Sequence, residues 1–303
     1  MHCETCGGIC CYADDSTYTT SSNDQDDLSM KLTNKYNIIS DYMISNKLKL
    51  NDDKTHLLVM ITSTKRRNRV IDVKITTPTE VIKPTSCETL LGNVIHEGLK
   101  WSQYIMHGNP KPDGKKSLIM QLNTRLNGLK LTCKVASFKT RLMIANGIFM
   151  SKLIYVIPLW AGCENYLINA LQVIQNSAAR AVTKCNWRTS IKSLLTQCGW
   201  LSVYQLGVYH SLIIMYKTLQ DKNPRYMHEQ VSRDFPRNTR ISSANTIYMG
   251  PELYKLALSK NSFKYRASML WNKLPAELRT IPKLPQFKLK LRQWIIKNID
   301  ISP

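Results

Sequence analysis

Two adjacent carboxylates, Asp14 and Asp15, follow directly on Tyr12-Ala13 near the start of this 303-residue chain. Adjacent aspartates at a tight β-turn can present carboxylate oxygens at one end of a hairpin. Such oxygens suit Mg²⁺, a hard ion held by a few carboxylates, waters and substrate phosphates. Two divalent ions about 3.5–4 Å apart stabilise the attacking and leaving oxygens of a nucleotidyl transfer. Side chains alternate across a strand, so Asp14 and Asp15 cannot both point straight into one site. The expected principal metal ligand is Asp14, with Asp15 auxiliary. The plainer reading of the same four residues is an acidic turn before a helix, with capping or solvated carboxylates.

The elements that must position these carboxylates follow in order. Residues 23–43 predict a helix: Asn23 or Asp24 can cap it, and Leu28, Leu32, Tyr36, Ile39 and Met43 share one face. Asn51-Asp52-Asp53-Lys54-Thr55 then leads into an expected buried strand, Leu57 to Ile61. A loop-like stretch, His107 to Gly114, precedes a change to helical periodicity. Leu118, Leu122, Leu126 and Leu129 share one face, Phe138, Leu142, Ala145 and Phe149 a second, and Leu167, Leu171, Ile174, Ala178 and Ala181 a third. The expected helices are 118–130, 137–157 and 164–184. Ser190 caps a short helix through Cys198 that Gly199 stops. Leu206, Tyr209, Ile213 and Tyr216 continue another, and residues 232–251 read as an exposed loop.

Taken in order, these pieces resemble the later part of a non-LTR (LINE-type, jockey-like) retrotransposon reverse transcriptase. The Tyr-Ala-Asp-Asp hairpin, helix and Asn-x-x-Lys-Thr segment are similar to the end of its palm. Thr89-Leu90-Leu91-Gly92-Asn93-Val94-Ile95 with Leu99-Lys100-Trp101 resembles its primer grip. Leu153 to Trp160, Ile174 to Arg180, Cys198-Gly199-Trp200-Leu201 and Leu270-Trp271-Asn272-Lys273-Leu274-Pro275 resemble segments that follow, in the right order. The resemblance implies RNA-templated DNA synthesis with Mg²⁺, on an RNA template and a primer from target DNA. It implies metal at Asp14 and Asp15, Lys54 at the incoming triphosphate as general acid or phosphate contact, and Leu91-Gly92 at the primer end. The family's fingers and first palm carboxylate precede the Tyr-x-Asp-Asp turn, and residues 1–11 cannot hold them. The expectation is therefore a fragment that is inactive alone, its Mg²⁺ site completed only by an upstream segment or another chain. The alternatives are a non-catalytic, basic nucleic-acid-binding protein and a translated relic without function.

The charge distribution fits such partners. The net charge is +21, yet residues 1–60 carry −4 and the rest +25. Residues 111–152 hold nine Lys/Arg and one Asp, and residues 255–297 eleven Lys/Arg and one Glu. Phosphate contact is expected from Lys115, Lys116, Arg125 and Lys130, and further along from Lys134, Lys139 and Arg141. Such binding is salt-sensitive and largely sequence-independent. Solvated helix faces are the plainer alternative. Lys65-Arg66-Arg67-Asn68-Arg69 caps a hairpin or serves as an import signal.

Nine cysteines without a visible secretory signal suggest reduced thiols. Cys87, Cys133, Cys163, Cys185 and Cys198 read as core packing. Cys3, Cys6, Cys10 and Cys11 invite a zinc reading, but Cys10 and Cys11 on one strand point to opposite faces. The longest apolar stretch, Leu153 to Cys163, is too short to span a bilayer. The expectation is a soluble intracellular protein, nuclear or cytoplasmic, without membrane partners. The expected fold is α+β: a partial palm over 1–105, a thumb-like helical bundle over 106–185 and a basic helical extension over 186–303.

Overall fold

The computed structural model describes residues 8–13, 15–48, 50–51, 54–61, 71–78, 80–111, 114–222, 224–232 and 260–302. Four features of the sequence reading lie outside these residues: Asp14, the Cys3 and Cys6 thiols, the basic run Lys65–Arg69, and nearly all of the 232–251 segment. The chain is a mixed α+β structure with two compact units, Met1–Lys115 and Lys116–Pro303.

The first unit opens with an antiparallel hairpin, β1 (Gly8–Tyr12) and β2 (Asp15–Thr19), in which Tyr12 pairs with Asp15. Helix α1 (Gln25–Ser45) follows, as its pattern predicts. The Asp24 carboxylate caps it by accepting from the Asp27 N–H at 2.9 Å. Asp27 is held ionised below the usual carboxylate range, chiefly by hydrogen bonds from Lys31 and Ser22. Leu28, Leu32 and Tyr36 face a small core of Leu57, Val59, Val73, Ile75 and Ile82.

A second, polar stripe of α1 fixes the segment that leads into β4 (Ile75–Thr76). Gln25, Ser29 and Thr33 accept from the backbone N–H groups of Asp72, Lys74 and Thr76 at 2.8, 3.2 and 3.2 Å. Four helical residues rise about 6 Å and two extended residues about 6.6 Å, so the two periods match. The helix thus satisfies N–H groups that a neighbouring strand would otherwise serve.

The remaining strands are short: β3 (Leu57–Leu58), β5 (Val81–Ile82), β6 (Pro84–Thr85), β7 (Cys87–Leu90) and β8 (Asn93–His96). β3 pairs in parallel with β6, β4 with β5 and β7 with β8 antiparallel. The expected strand Leu57 to Ile61 is therefore paired only at its first two residues. Among the described residues every sheet has two strands. A π-helical turn, Gln103–His107, buries Tyr104 and Ile105 beneath β8.

The second unit is helical. In α2 (Leu118–Thr132), Ser117 caps the start and Leu118, Leu122, Leu126 and Leu129 are buried, as expected. α3 (Phe138–Ile144) runs into a π-helical stretch, Ala145–Met150, and ends in a last turn, Ser151–Leu153. The expected continuous helix 137–157 breaks here. Val156 sits at φ +48° and Pro158 opens α4 (Ile157–Trp160), because a proline cannot continue the preceding helix.

The buried face departs from the expected one at its start. Phe138, expected in the core, is 42% exposed at the first position of α3, while Arg141 is buried. Ala145 and Phe149 are buried as expected, and Leu153 continues the buried face beyond the π stretch.

α5 (Asn165–Thr183) and α7 (Val203–Gln220) form the centre, with α6 (Ile191–Cys198) against α5. Ser190 caps α6 and Gly199 ends it at φ +63°, both as expected. α7 begins with a reciprocal Ser202–Gln205 capping box. A Cβ on Gly207 would meet the Ala161 Cβ at 2.5 Å, so this glycine lets α7 approach the end of α4. Around α7 lie α8 (Arg225–Ser232), α9 (Phe263–Lys273), α10 (Ala276–Arg279) and α11 (Leu284–Asn298). Tyr216 stacks on Phe287 at 4.3 Å, and Trp271 lies 6.0 Å from the same ring. The Tyr216 hydroxyl donates to the Ile281 carbonyl at 2.9 Å. Trp271 is fully buried, a core anchor. Among the described residues no helix is long and apolar enough to cross a membrane.

Candidate functional site

The Tyr12–Asp15 pairing leaves Ala13 and Asp14 between the strands, the length that primed two-residue turns require. Ala13 adopts φ +53°, as those turns demand. Asp15 opens β2 as an exposed residue, and its cross-strand partner Tyr12 is 67% exposed. All five residues of β1 are exposed. Cys10 and Cys11, both free, occupy consecutive positions there and so lie on opposite faces. The Ser16 hydroxyl reaches the Cys11 Sγ at 3.5 Å, and the Lys35 ammonium sits 5.5 Å from the Tyr18 ring centroid, tying the hairpin to α1.

Of the two expected metal ligands, Asp15 alone falls among the described residues. Those residues contain no cluster of three or more His, Cys, Asp or Glu able to hold a metal ion. The described donor set therefore does not by itself make a Mg²⁺ site.

Lys54 is exposed in a turn before β3. The Asn51 carbonyl accepts from the Lys54 N–H at 3.1 Å and from the Thr55 hydroxyl at 3.0 Å. Asn51-x-x-Lys54-Thr55 is thus a closed local turn that leaves the lysine side chain outward. Leu91 and Gly92 join β7 to β8 at φ +47° and +78°, a primed turn in which glycine is at ease and leucine is not. Leu91 is 42% exposed at its tip. Glu88, on β7, accepts from Thr85 at 2.6 Å and from Lys111 at 2.7 Å. Asp15, Lys54 and Leu91-Gly92 therefore sit on three separate turns of the first unit.

The expected phosphate contacts divide into two kinds. Lys115, Lys116, Lys130, Lys134 and Lys139 are exposed. Arg125 is partly buried and donates to the Ile148 carbonyl at 2.6 Å, bracing α2 against the π stretch. Arg141 corrects the expectation made for it. It is 7% exposed and donates to the Val182 carbonyl at 2.6 Å and the Ala136 carbonyl at 2.8 Å. Its guanidinium satisfies the C-terminal end of α5, so it holds helices rather than facing a ligand.

The family-like segment Ile174 to Arg180 also has a structural explanation. Gln175 donates to the Leu201 carbonyl at 2.9 Å, and Gln172 accepts from the Val203 N–H at 2.8 Å while donating to Asn176 at 2.8 Å. These buried amides fix the start of α7 in one geometry. Of the cysteines expected in the core, Cys87, Cys133 and Cys198 are buried, whereas Cys163 and Cys185 are only half-buried; desolvation pushes the Cys163 thiol up to about 12 and the Cys198 thiol up to about 11.

Trp187 escaped the sequence reading. It is 73% exposed on the connection between α5 and α6, beside Arg188. The available signal was an aromatic–arginine pair between lysines in a short polar loop. Comparison with protein-family profiles, with curated proteins and with solved structures finds no match for this chain.

Proposed function

We propose that this chain is a C-terminal portion of a non-LTR retrotransposon reverse transcriptase, and that on its own it binds nucleic acid without polymerising it. The observation that carries the ancestry is the hairpin. Tyr12 pairs with Asp15 in an antiparallel hairpin, and the long helix α1 follows it, the order that the resemblance implies. Exposed lysines on a separate helical unit support the binding part of the reading.

Catalytic silence follows from the ligands within these 303 residues. Glu4 is the one acidic residue before Tyr12, and two-metal transfer needs a further, fixed carboxylate beside the aspartate turn. The expected partners are an RNA template and a DNA primer, with the remaining palm supplied by an upstream segment or another chain. The test is primer extension on poly(rA)·oligo(dT) with Mg²⁺. The expected result is no incorporation by this chain. Incorporation that disappears on Asp14→Ala would overturn the silent reading and make the turn an active site. Binding to the same substrate, weakening steeply with salt, supports the remainder; its absence overturns it.

A further inference from the structure

Trp187 is by far the most exposed of the six tryptophans: Trp160 and Trp271 are fully buried, Trp200 is 8% exposed, and Trp101 and Trp294 are half-buried. A ring of this size left in water is a large apolar surface without a packing role. Its backbone is nevertheless held. The Trp187 carbonyl accepts from Arg180 at 3.3 Å, and the Thr189 N–H closes a turn on the Asn186 carbonyl at 3.1 Å. The connection is pinned at both ends, by Lys184 at φ +56° closing α5 and by the Ser190 cap of α6. Arg188 lies over the ring at 5.2 Å.

The surroundings are cationic. Lys184 reaches the Lys134 carbonyl at 3.2 Å, which brings the end of α2 beside this connection. Lys134, Lys184, Arg188 and Lys192 are exposed. Between Asp113 and Asp221 the sequence holds thirteen Lys/Arg and a single acidic residue, Glu164.

We propose that Trp187 is a stacking platform for an unpaired base, with Lys134, Lys184, Arg188 and Lys192 carrying the flanking phosphates, so that this face binds single-stranded nucleic acid. The proposal rests on the nucleic-acid-binding reading above and narrows it to a strand form. A flat ring offers its π-face to any base, whereas bases inside a duplex are already stacked and out of reach.

The test measures anisotropy of labelled, unstructured oligo(dT) and oligo(rU), and of a duplex of equal length, against the full chain and two variants. Trp187→Ala is expected to weaken single-strand binding about tenfold and leave duplex binding unchanged. Trp187→Phe should recover most of the loss, because stacking needs a ring rather than an indole. Unchanged single-strand affinity in Trp187→Ala, with the wild type still binding both forms, overturns the platform alone. A wild-type chain that binds neither form overturns the platform and the reading beneath it. A lost helical circular-dichroism signal in Trp187→Ala would assign the ring a folding role and overturn the proposal as well.

Discussion

The two units differ in what holds them and in what they carry. Among the described residues the first unit buries ten apolar side chains and the second forty. Residues 1–115 have fourteen Lys/Arg and fourteen Asp/Glu, so they are neutral, and residues 116–303 carry the whole excess of +21. Among the described residues the first unit is built from two-stranded sheets, its first strand exposed throughout. The second is a helical core in which several helix starts are capped by serine and the buried glutamines are satisfied. The residues expected to do chemistry sit on the thinly packed part, and positive charge sits on the well-packed part. Stability and binding should therefore separate from the aspartate turn.

The largest expected effect tests that separation directly. Residues 116–303 expressed alone should keep a helical circular-dichroism spectrum, a cooperative thermal transition and salt-dependent nucleic-acid binding. Each phosphate contact contributes a slope of about −0.9 to the log–log salt dependence of duplex binding. A fragment that folds but loses all binding would place the binding surface in the first unit and break the comparison.

Within the second unit, Trp271→Ala should destabilise by about 3–5 kcal/mol, since it empties a fully buried site against Phe287. Urea unfolding followed by circular dichroism measures it. A change below about 1 kcal/mol would mean that the core around α7 collapses onto the cavity, which the stacked Tyr216–Phe287 pair argues against.

Much of this second unit was legible in the sequence. Four leucines at helical spacing, the Ser190 cap and the Gly199 stop each have one local physical meaning, and each was realised. Arg141 and Phe138 were not legible. Phe138 is the first residue of α3, where a helix end has few neighbours to bury it, and Arg141 is held inward by two carbonyls that an apolar period does not register. In the first unit, reading apolar periodicity found the buried stripe of α1. It passed over Gln25, Ser29 and Thr33, whose spacing serves backbone N–H groups some forty-five residues away. The aspartate turn was legible as a hairpin, because pairing and turn length are local. Whether it holds metal depends on ligands that no local pattern specifies.

Arg141 and Lys139 sharpen the comparison at a smaller scale. Arg141→Met should cost about 2–3 kcal/mol, because two carbonyls lose a charged donor, and should leave the salt slope unchanged. Lys139→Met should leave stability within about 0.5 kcal/mol and lower the slope by about one phosphate. The reverse pattern would show that the buried arginine turns outward to meet nucleic acid.

The smallest expected effect concerns the first unit. Leu91 holds φ +47° at the tip of the β7–β8 turn, where a branched apolar side chain crowds its own carbonyl. Asparagine tolerates this region far better, and a 42% exposed leucine gives up little burial when replaced. Leu91→Asn should therefore stabilise the first unit by up to about 1 kcal/mol, read as a higher urea midpoint with an unchanged denaturant slope. Destabilisation instead would mean that the leucine's packing outweighs its backbone strain. If Leu91→Asn stabilises the fold yet weakens binding of a primer–template duplex, the strained leucine is kept for contact rather than for folding. That pairing of outcomes is the pattern expected where backbone strain is retained at a functional position. It would give the first unit a share in nucleic-acid binding that its neutral charge alone does not predict.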